Sequence, residues 1–187
     1  MDAVALKISD ELELTQHKFW NISHQTAEFI SMLIKISAPK NVLEIGTSNG
    51  YSALWIADAL KSAGNKGHLT TIEFYEKRQS IARENIEKCA LSDFVTFKQG
   101  RALEILANLD FVPDMVFIDA NKSEYIQYFD LLKDKLPKGG IILADNVVSH
   151  AAKVADFLEE IKNDTRYQSQ VLDLPAGLLM ALKLTEN

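Results

Sequence analysis

The sequence predicts a doubly wound α/β fold of the Rossmann-like kind, a mainly parallel seven-stranded sheet with an antiparallel hairpin at one edge. Three observations carry this expectation. Short apolar runs alternate strictly with segments of helical period, a pattern that right-handed crossovers fold into a parallel sheet. Two of the runs, Met115–Ile118 and Ile141–Ala144, are apolar throughout and stop at Asp119 and Asp145, as strands buried on both faces must where charge begins. The last two runs follow one another through the turn Pro175-Ala176-Gly177, with no helix between them.

The elements follow in order. The first 23 residues are mixed, with Leu6, Leu12 and Leu14 as scattered apolar points. They read as a short N-terminal extension to a core at 24–187, the whole chain forming one domain. From His24 to Ile36, the residues Ala27, Phe29, Ile30, Leu33, Ile34 and Ile36 fall at helical spacing, and Pro39 ends the segment. Asn41 to Ile45 is a buried strand, and the helix from Tyr51 to Ser62 is broken by Gly64 and Gly67. Strand His68–Glu73, helix Glu76–Cys89, strand Phe94–Lys98 and a weaker helix Ala102–Asn108 come next. After the fourth strand, Ser123 to Asp134 is helical, and Pro137-Lys138-Gly139-Gly140 turns the chain into the fifth. Helix Ala152–Lys162 precedes the final strands, Tyr167–Leu172 and Leu178–Leu184.

Composition narrows the function classes. Hydrophobic content of 47% and charged content of 25% in 187 residues suit a soluble globular domain with a full core. A net charge of -6 weighs against a large nucleic-acid footprint. The single Cys89 cannot form an internal disulfide, and its setting reads as a half-buried, inert thiol at a helix end. With no secretory signal and no membrane-length apolar run, the expectation is a cytoplasmic protein. His17, His24, His68 and His150 share no metal-binding spacing, and Ser48 and Ser52 lack triad partners. Phe19 and Trp20 read as core or dimer contacts, and the helix through Ala27 and Ile36 as a contributor to a homodimer.

Chemistry gathers at the strand ends. In open α/β sheets, ligands sit outside the carboxyl ends of the strands, which here carry Glu44, Glu73, Asp119 and Asp145. The loop Glu44-x-Gly46-x-x-x-Gly50 follows a strand and opens a helix. Gly46 permits a sharp turn and close backbone approach, and Gly50 a tight path into a helix whose free N–H groups favour an anion. A dinucleotide loop would want three glycines; this one has two. Glu73, 23 residues after Gly50, stands where an acid meets ribose hydroxyls. Fewer glycines suit a cofactor without pyrophosphate, such as S-adenosylmethionine, whose carboxylate Ser52 would bond. Asp119, Asp145 and Asn146 are hard oxygen donors able to converge on one divalent cation, with Lys122 nearby. Each also has a plain reading: Asp119 and the Asp145-Asn146 pair as helix caps, Lys122 as a solvated side chain, the glycines as an ordinary turn.

Four stretches together, Val42–Leu54, Thr70–Glu73, Val116–Lys122 and Gly139–Val147, resemble the cation-dependent O-methyltransferases, the group that contains catechol and caffeoyl-coenzyme A O-methyltransferases. LEIGTSNGYSALWIA, FIDANKSEY and GGIILADNVV are specific in combination, and the resemblance spans roughly residues 24 to 184. It implies a metal held by Asp119, Asp145 and Asn146: Mg²⁺ first, Mn²⁺ or Ca²⁺ otherwise. It implies Lys122 as general base beside Asp119 as catalytic residues. It further implies a cofactor site of Glu44, Gly46, Thr47, Ser48, Gly50, Tyr51, Ser52, Glu73, Phe74, Gly100, Arg101, Ala102 and Asp119.

The chemistry fits those residue types. A phenol is a poor nucleophile while protonated, near pKa 10, and a divalent ion lowers that value and fixes the oxygen. A cation beside a lysine favours the neutral amine that accepts a proton. The implied reaction is methyl transfer to a small hydroxylated aromatic. Leu174–Leu178 lacks the acid that relatives carry between the last two strands, which points away from plain catechol. A modified tRNA uridine is the first alternative acceptor, to be favoured by a basic face of Lys35, Lys40, Arg78 or Lys153. A nicotinamide-dependent oxidoreductase and a non-catalytic cofactor-binding module are the alternatives from other classes.

Overall fold

The seven expected strands all form, and their order places the site. In the computed structural model, which describes residues 1–64 and 66–186, they are β1 (Asn41–Ile45), β2 (His68–Glu73), β3 (Val95–Gln99), β4 (Met115–Ile118), β5 (Ile141–Ala144), β6 (Tyr167–Leu172) and β7 (Leu178–Lys183). They lie side by side as β3-β2-β1-β4-β5-β7-β6. The first five are parallel, and β7 enters antiparallel between β5 and β6. Chain order reverses between β1 and β4, the crevice where such sheets bind ligands.

The helices are α1 (Ala3–Glu13), α2 (Gln16–Phe19), α3 (His24–Ser37), α4 (Tyr51–Ala63), α5 (Glu76–Lys88), α6 (Ala102–Ala107), α7 (Tyr125–Leu132) and α8 (Ala155–Asn163). One core layer, with α3 and α4, packs Ile30, Ile34, Leu54 and Leu60 against Val42, Phe117 and Leu143. The other, with α7 and α8, packs Tyr128, Phe129, Phe157 and Ile161 against Leu43, Val116 and Ile142. Alternate residues of one strand thus feed opposite layers, the period that a two-faced sheet requires.

The N-terminal stretch is a finding against the sequence expectation. Asp2 caps α1 by accepting from the N–H groups of Val4 and Ala5. Ala5, Ile8, Ser9 and Leu12 face the core, whereas Leu6 and Leu14, two of the three apolar points, are exposed. The stripe has helical spacing, but a small and a polar member dilute it. Trp55 is buried as packing, with its indole N–H donating to Ser9 Oγ (3.1 Å). Trp20 is neither core nor helix interior: it is 72% exposed, at φ +56°. Cys89 is wholly buried rather than half-buried, and burial pushes its thiol up to about 11.

Two helices start later than expected. Asn121 accepts from the Ser123 N–H, so a 3-10 turn at Lys122–Glu124 precedes α7. Val154 leaves helical geometry (φ -117°) to bury its side chain, which separates the turn Ala151–Lys153 from α8. Among the described residues, no helix is long and apolar enough to cross a membrane.

Candidate active site

A cavity of about 1040 Å³ opens over the carboxyl ends of β1, β2, β4 and β5. One side of it is built by the β1–α4 loop. Gly46, at φ +105°, cannot be replaced by any L residue: an added Cβ would sit 2.2 Å from the Asp119 carbonyl oxygen. Its freedom therefore lets the loop touch the end of β4. Gly50, at φ +86°, likewise admits the start of α4 against Ala82 of α5.

Glu73 ties this loop down. Its two carboxylate oxygens accept from the Ser48 and Tyr75 N–H groups, both at 2.8 Å. Each oxygen keeps a further lone pair able to accept, and Glu73 lines the cavity. Phe74, Tyr75, Gly100, Arg101 and Ala102 continue the same wall.

Not every residue expected at the cofactor lines the cavity. Gly46, Ser48, Glu73, Phe74, Gly100, Arg101, Ala102 and Asp119 do; Glu44, Thr47, Gly50, Tyr51 and Ser52 stand behind them. Thr47 bonds Thr71, and the Thr71 hydroxyl donates to Glu44 Oε2 (2.5 Å). Ser52 is buried beside Glu44, and its place as a contact of the cofactor's carboxylate stays an expectation. Tyr51 donates to Glu13 of α1 (2.6 Å). On a helix whose first ten residues are all buried, sequence does not reveal which way a small polar side chain points.

The other side carries the oxygen donors. Asp119 and Asp145 end neighbouring strands β4 and β5, and both line the cavity with Asn146 and Lys122. Lys122 Nζ donates to Asp119 Oδ1 at 2.8 Å. Asp145 is 2% exposed, and its Oδ1 has no hydrogen-bond partner. Burial, then the neighbouring Asp119, raises its carboxyl well above the usual range. Asn146 takes the left-handed conformation (φ +65°) that turns the chain sharply after β5. None of the capping readings is seen: Asn121 caps the turn before α7, and α8 has no side-chain cap.

The hairpin buttresses that turn. Val147 N–H donates to the Gly177 carbonyl (3.1 Å), and the N–H groups of Val148 and Ser149 both donate to the Ala176 carbonyl (3.0 Å). A Cβ on Gly177 would meet Val148 Cγ2 at 2.3 Å. Pro175 and Ala176 then join His150 and Lys153 as the far wall.

Sequence reasoning did not name the residues that roof the cavity: Gln16, His17 and residues 19–23, with Phe19 and Trp20 among them, line it. Ser48 Oγ donates to the Phe19 carbonyl (2.9 Å), Asn49 Nδ2 donates to Thr15 Oγ1 (3.2 Å), and the Arg78 guanidinium lies 5.2 Å from the Trp20 ring centroid. The signal available was an aromatic pair in a polar stretch that fits no helical stripe. The four basic residues Lys35, Lys40, Arg78 and Lys153 do not gather on one face. Lys35 and Lys40 flank the start of β1, at the opposite rim from the cavity that Arg78 and Lys153 line.

A switch-point cavity lined by Glu73 on one side and a cluster of hard oxygens on the other is where a doubly wound sheet takes a ligand. The chain belongs to the O-methyltransferase family, whose model matches residues 6–184. It is 36% identical to a catechol O-methyltransferase of Niastella koreensis over 68% of this chain and 58% of that protein, so it spans less than two thirds of that relative. It is 33% identical to caffeoyl-CoA O-methyltransferase 2 of Petunia hybrida, over 89% of this chain and 72% of the relative. Among solved structures, an O-methyltransferase from Bacillus cereus in complex with SAH superposes with a TM-score of 0.83 at 30% identity, covering 98% of this chain and 91% of the other.

Proposed function

We propose that this protein transfers a methyl group from S-adenosylmethionine to a hydroxyl of a small aromatic acceptor, with the help of a divalent cation. The observation that carries the reading is the pairing of Asp119 and Asp145 at adjacent strand ends, with a buried Asp145 oxygen that no donor satisfies. A buried carboxylate without a partner costs several kcal/mol unless a cation compensates it. Two carboxylates and one amide are hard, oxygen-only donors that leave positions open for water and substrate, which fits Mg²⁺ best and Mn²⁺ or Ca²⁺ less well. Among the described residues no third His, Cys, Asp or Glu joins the two carboxylates, and the Asn146 amide oxygen would be the third donor. SAH in the Bacillus cereus structure is what the methyl donor becomes after transfer, which supports the cofactor.

The chain's residues divide the work. Asp119, Asp145 and Asn146 would hold the ion, which when bound supplies Lewis-acid polarisation of an acceptor hydroxyl. Glu73 would receive the ribose hydroxyls, and Phe74 and Ala102 would flank the base. Lys122, its Nζ beside Asp119, is placed to take the hydroxyl proton. The cofactor, when bound, would supply the methyl group; these residues would hold it in line with the acceptor oxygen, and such alignment of two reactants provides much of the acceleration. The roof formed by Gln16, His17 and residues 19–23 would keep water from the transfer.

Calorimetric titration of S-adenosylmethionine and NAD, with and without Mg²⁺, tests this on the wild type and Asp145→Ala. Methionine-cofactor binding with a Mg²⁺ heat that Asp145→Ala abolishes is the expected result. NAD binding, or a metal heat unchanged by the substitution, overturns the proposal. One domain over 1–187, a cytoplasmic setting and a homodimer belong to the same proposal. The exposed Met32 and Ile36 of α3 support the homodimer, and sedimentation velocity tests it.

A further inference from the structure

Three helix ends meet at one carboxylate. Glu13 is the last residue of α1, His24 the first of α3 and Tyr51 the first of α4. Glu13 Oε1 accepts from the Tyr51 hydroxyl (2.6 Å) and pairs with His24 Nδ1 (2.7 Å). Neither charge serves its own helix, because an acid at a carboxyl end and a cation at an amino end both oppose the helix dipole. They answer one another. The His24 ring stands perpendicular to that of Trp55, with centroids 5.2 Å apart, which limits how it can turn.

The cluster pins two loops at once. Residues 14–23, most of which roof the cavity, run from Glu13 to His24, so the pair closes that segment at its base. Tyr51 directly follows the loop 46–50, in which Ser48 and Asn49 already bond Phe19 and Thr15 of the same segment. The charged groups facing His24 are Glu13 and Asp10 of α1 and Glu28 of its own helix. From α4 come only the neutral Trp55 ring and Tyr51, which reaches the same carboxylate oxygen. All three charges are acids, and the Glu13 hydrogen bond above all raises the His24 pKa from its ordinary 6.5. Burial works to raise Glu13, but the Tyr51 hydroxyl and His24 outweigh it and hold the carboxyl below 4.5.

Resting on the cofactor reading above, we propose that Glu13, His24 and Tyr51 form a proton-dependent clasp that holds the roof to the cofactor loop and so sets how tightly the cofactor is retained. The three are positioning residues, acting through the two loops and not on the reactants. Because the folded value of His24 is raised, its contribution is complete below about pH 6.5 and is lost as pH climbs through that raised value. Above it a neutral hydrogen bond remains, without the ionic attraction.

Calorimetry of SAH binding from about pH 6 to about pH 9, the range in which a histidine titrates, compares the wild type with His24→Arg and His24→Gln. The wild-type Kd is expected to rise about threefold to fivefold relative to His24→Arg, whose charge persists, as a half-exposed pair allows. His24→Gln, which carries no charge, should bind more weakly than the wild type at the lower pH and match it at the higher. A second readout needs no cofactor: trypsin cleavage after Lys18, an exposed residue of the roof segment. The wild-type rate divided by the His24→Arg rate at the same pH should rise severalfold with pH, and Glu13→Gln should be cleaved fast throughout. Parallel pH profiles for wild type and His24→Arg, in either measurement, overturn the clasp. Failure of SAH to bind any of these proteins overturns the methyltransferase reading and the cofactor half of this proposal, while the cleavage ratio still decides the clasp itself.

Discussion

At the amino rim of the sheet, Lys183 is 1% exposed, and its ammonium donates to the carbonyls of Lys133 (2.8 Å) and Leu136 (2.9 Å) where the chain leaves α7. At the carboxyl rim, Asp145 is just as deeply buried, and one of its oxygens accepts from nothing. The contrast extends along both rims. Asp114 accepts from the N–H groups of Lys40 and Asn41, and Arg166 bridges Asp134 and Asp164, all at the amino rim. Among the described residues, the buried side-chain atoms without a partner belong to Glu44, Gln79 and Asp145, and all three residues follow or end strands at the carboxyl rim. Of the three, only Asp145 lines the cavity, so its open oxygen is the one within reach of something outside the chain.

The largest way to break that comparison is at Asp145. Asp145→Asn should lower kcat at least about a thousandfold, the several kcal/mol that a lost cation represents, while leaving the stability of the metal-free protein undiminished. Steady-state kinetics and urea unfolding on the same preparation read both quantities; a strongly destabilised variant would place Asp145 with the structural rim. Lys183→Met should do the reverse, costing on the order of 3 kcal/mol of stability because two buried carbonyls lose a donor. The Kd for S-adenosylmethionine should not change, and a shifted Kd would break the separation of the two rims.

Glu44 sharpens the comparison through pH. Burial raises its carboxyl from 4.5 to about 7, reinforced by Asp119 and Glu73 and opposed by the Ser52 and Thr71 hydroxyls. The folded value lies above the unfolded one, so its contribution to stability is complete below about pH 4.5 and is lost as pH climbs through about 7. The loss is on the order of 3 kcal/mol, and Glu44→Gln should remove it, visible as a flatter profile of unfolding free energy against pH. The smallest effect belongs to the roof: Trp20→Ala deletes an exposed stacking contact with Arg78 and should weaken S-adenosylmethionine binding about twofold to fivefold by calorimetry.

What was legible in the sequence follows the same division. Asp119 and Asp145 announced themselves because a buried parallel strand cannot continue through charge, so pattern alone located the carboxyl rim. Glu73 was placed by its distance from the glycine loop. Gly46 was legible as a special position, but the partner that demands it, the Asp119 carbonyl, is distant in sequence and emerges only in the folded chain. Side-chain direction on the wholly buried start of α4 was not legible, so sequence did not show that Tyr51 bonds Glu13 of α1. The roof was hidden because Phe19 and Trp20 sit in a polar stretch with no helical stripe, and helix α1 before it uses Ala5 and Ser9 in a stripe that a hydrophobic count scarcely registers.

The hairpin that closes the sheet has one more consequence. Its tip holds the turn after Asp145 through the carbonyls of Ala176 and Gly177, while the side chains of Pro175 and Ala176 face the far wall. Backbone bonds do not depend on side-chain identity, provided that residue 177 stays glycine. Ala176 holds a left-handed φ of +69° that most side chains avoid, so position 175 is the one open to drift without disturbing the oxygen cluster or the cofactor loop. A lineage retargeting this catalyst, or a laboratory library, has its most permissive handle in that side chain.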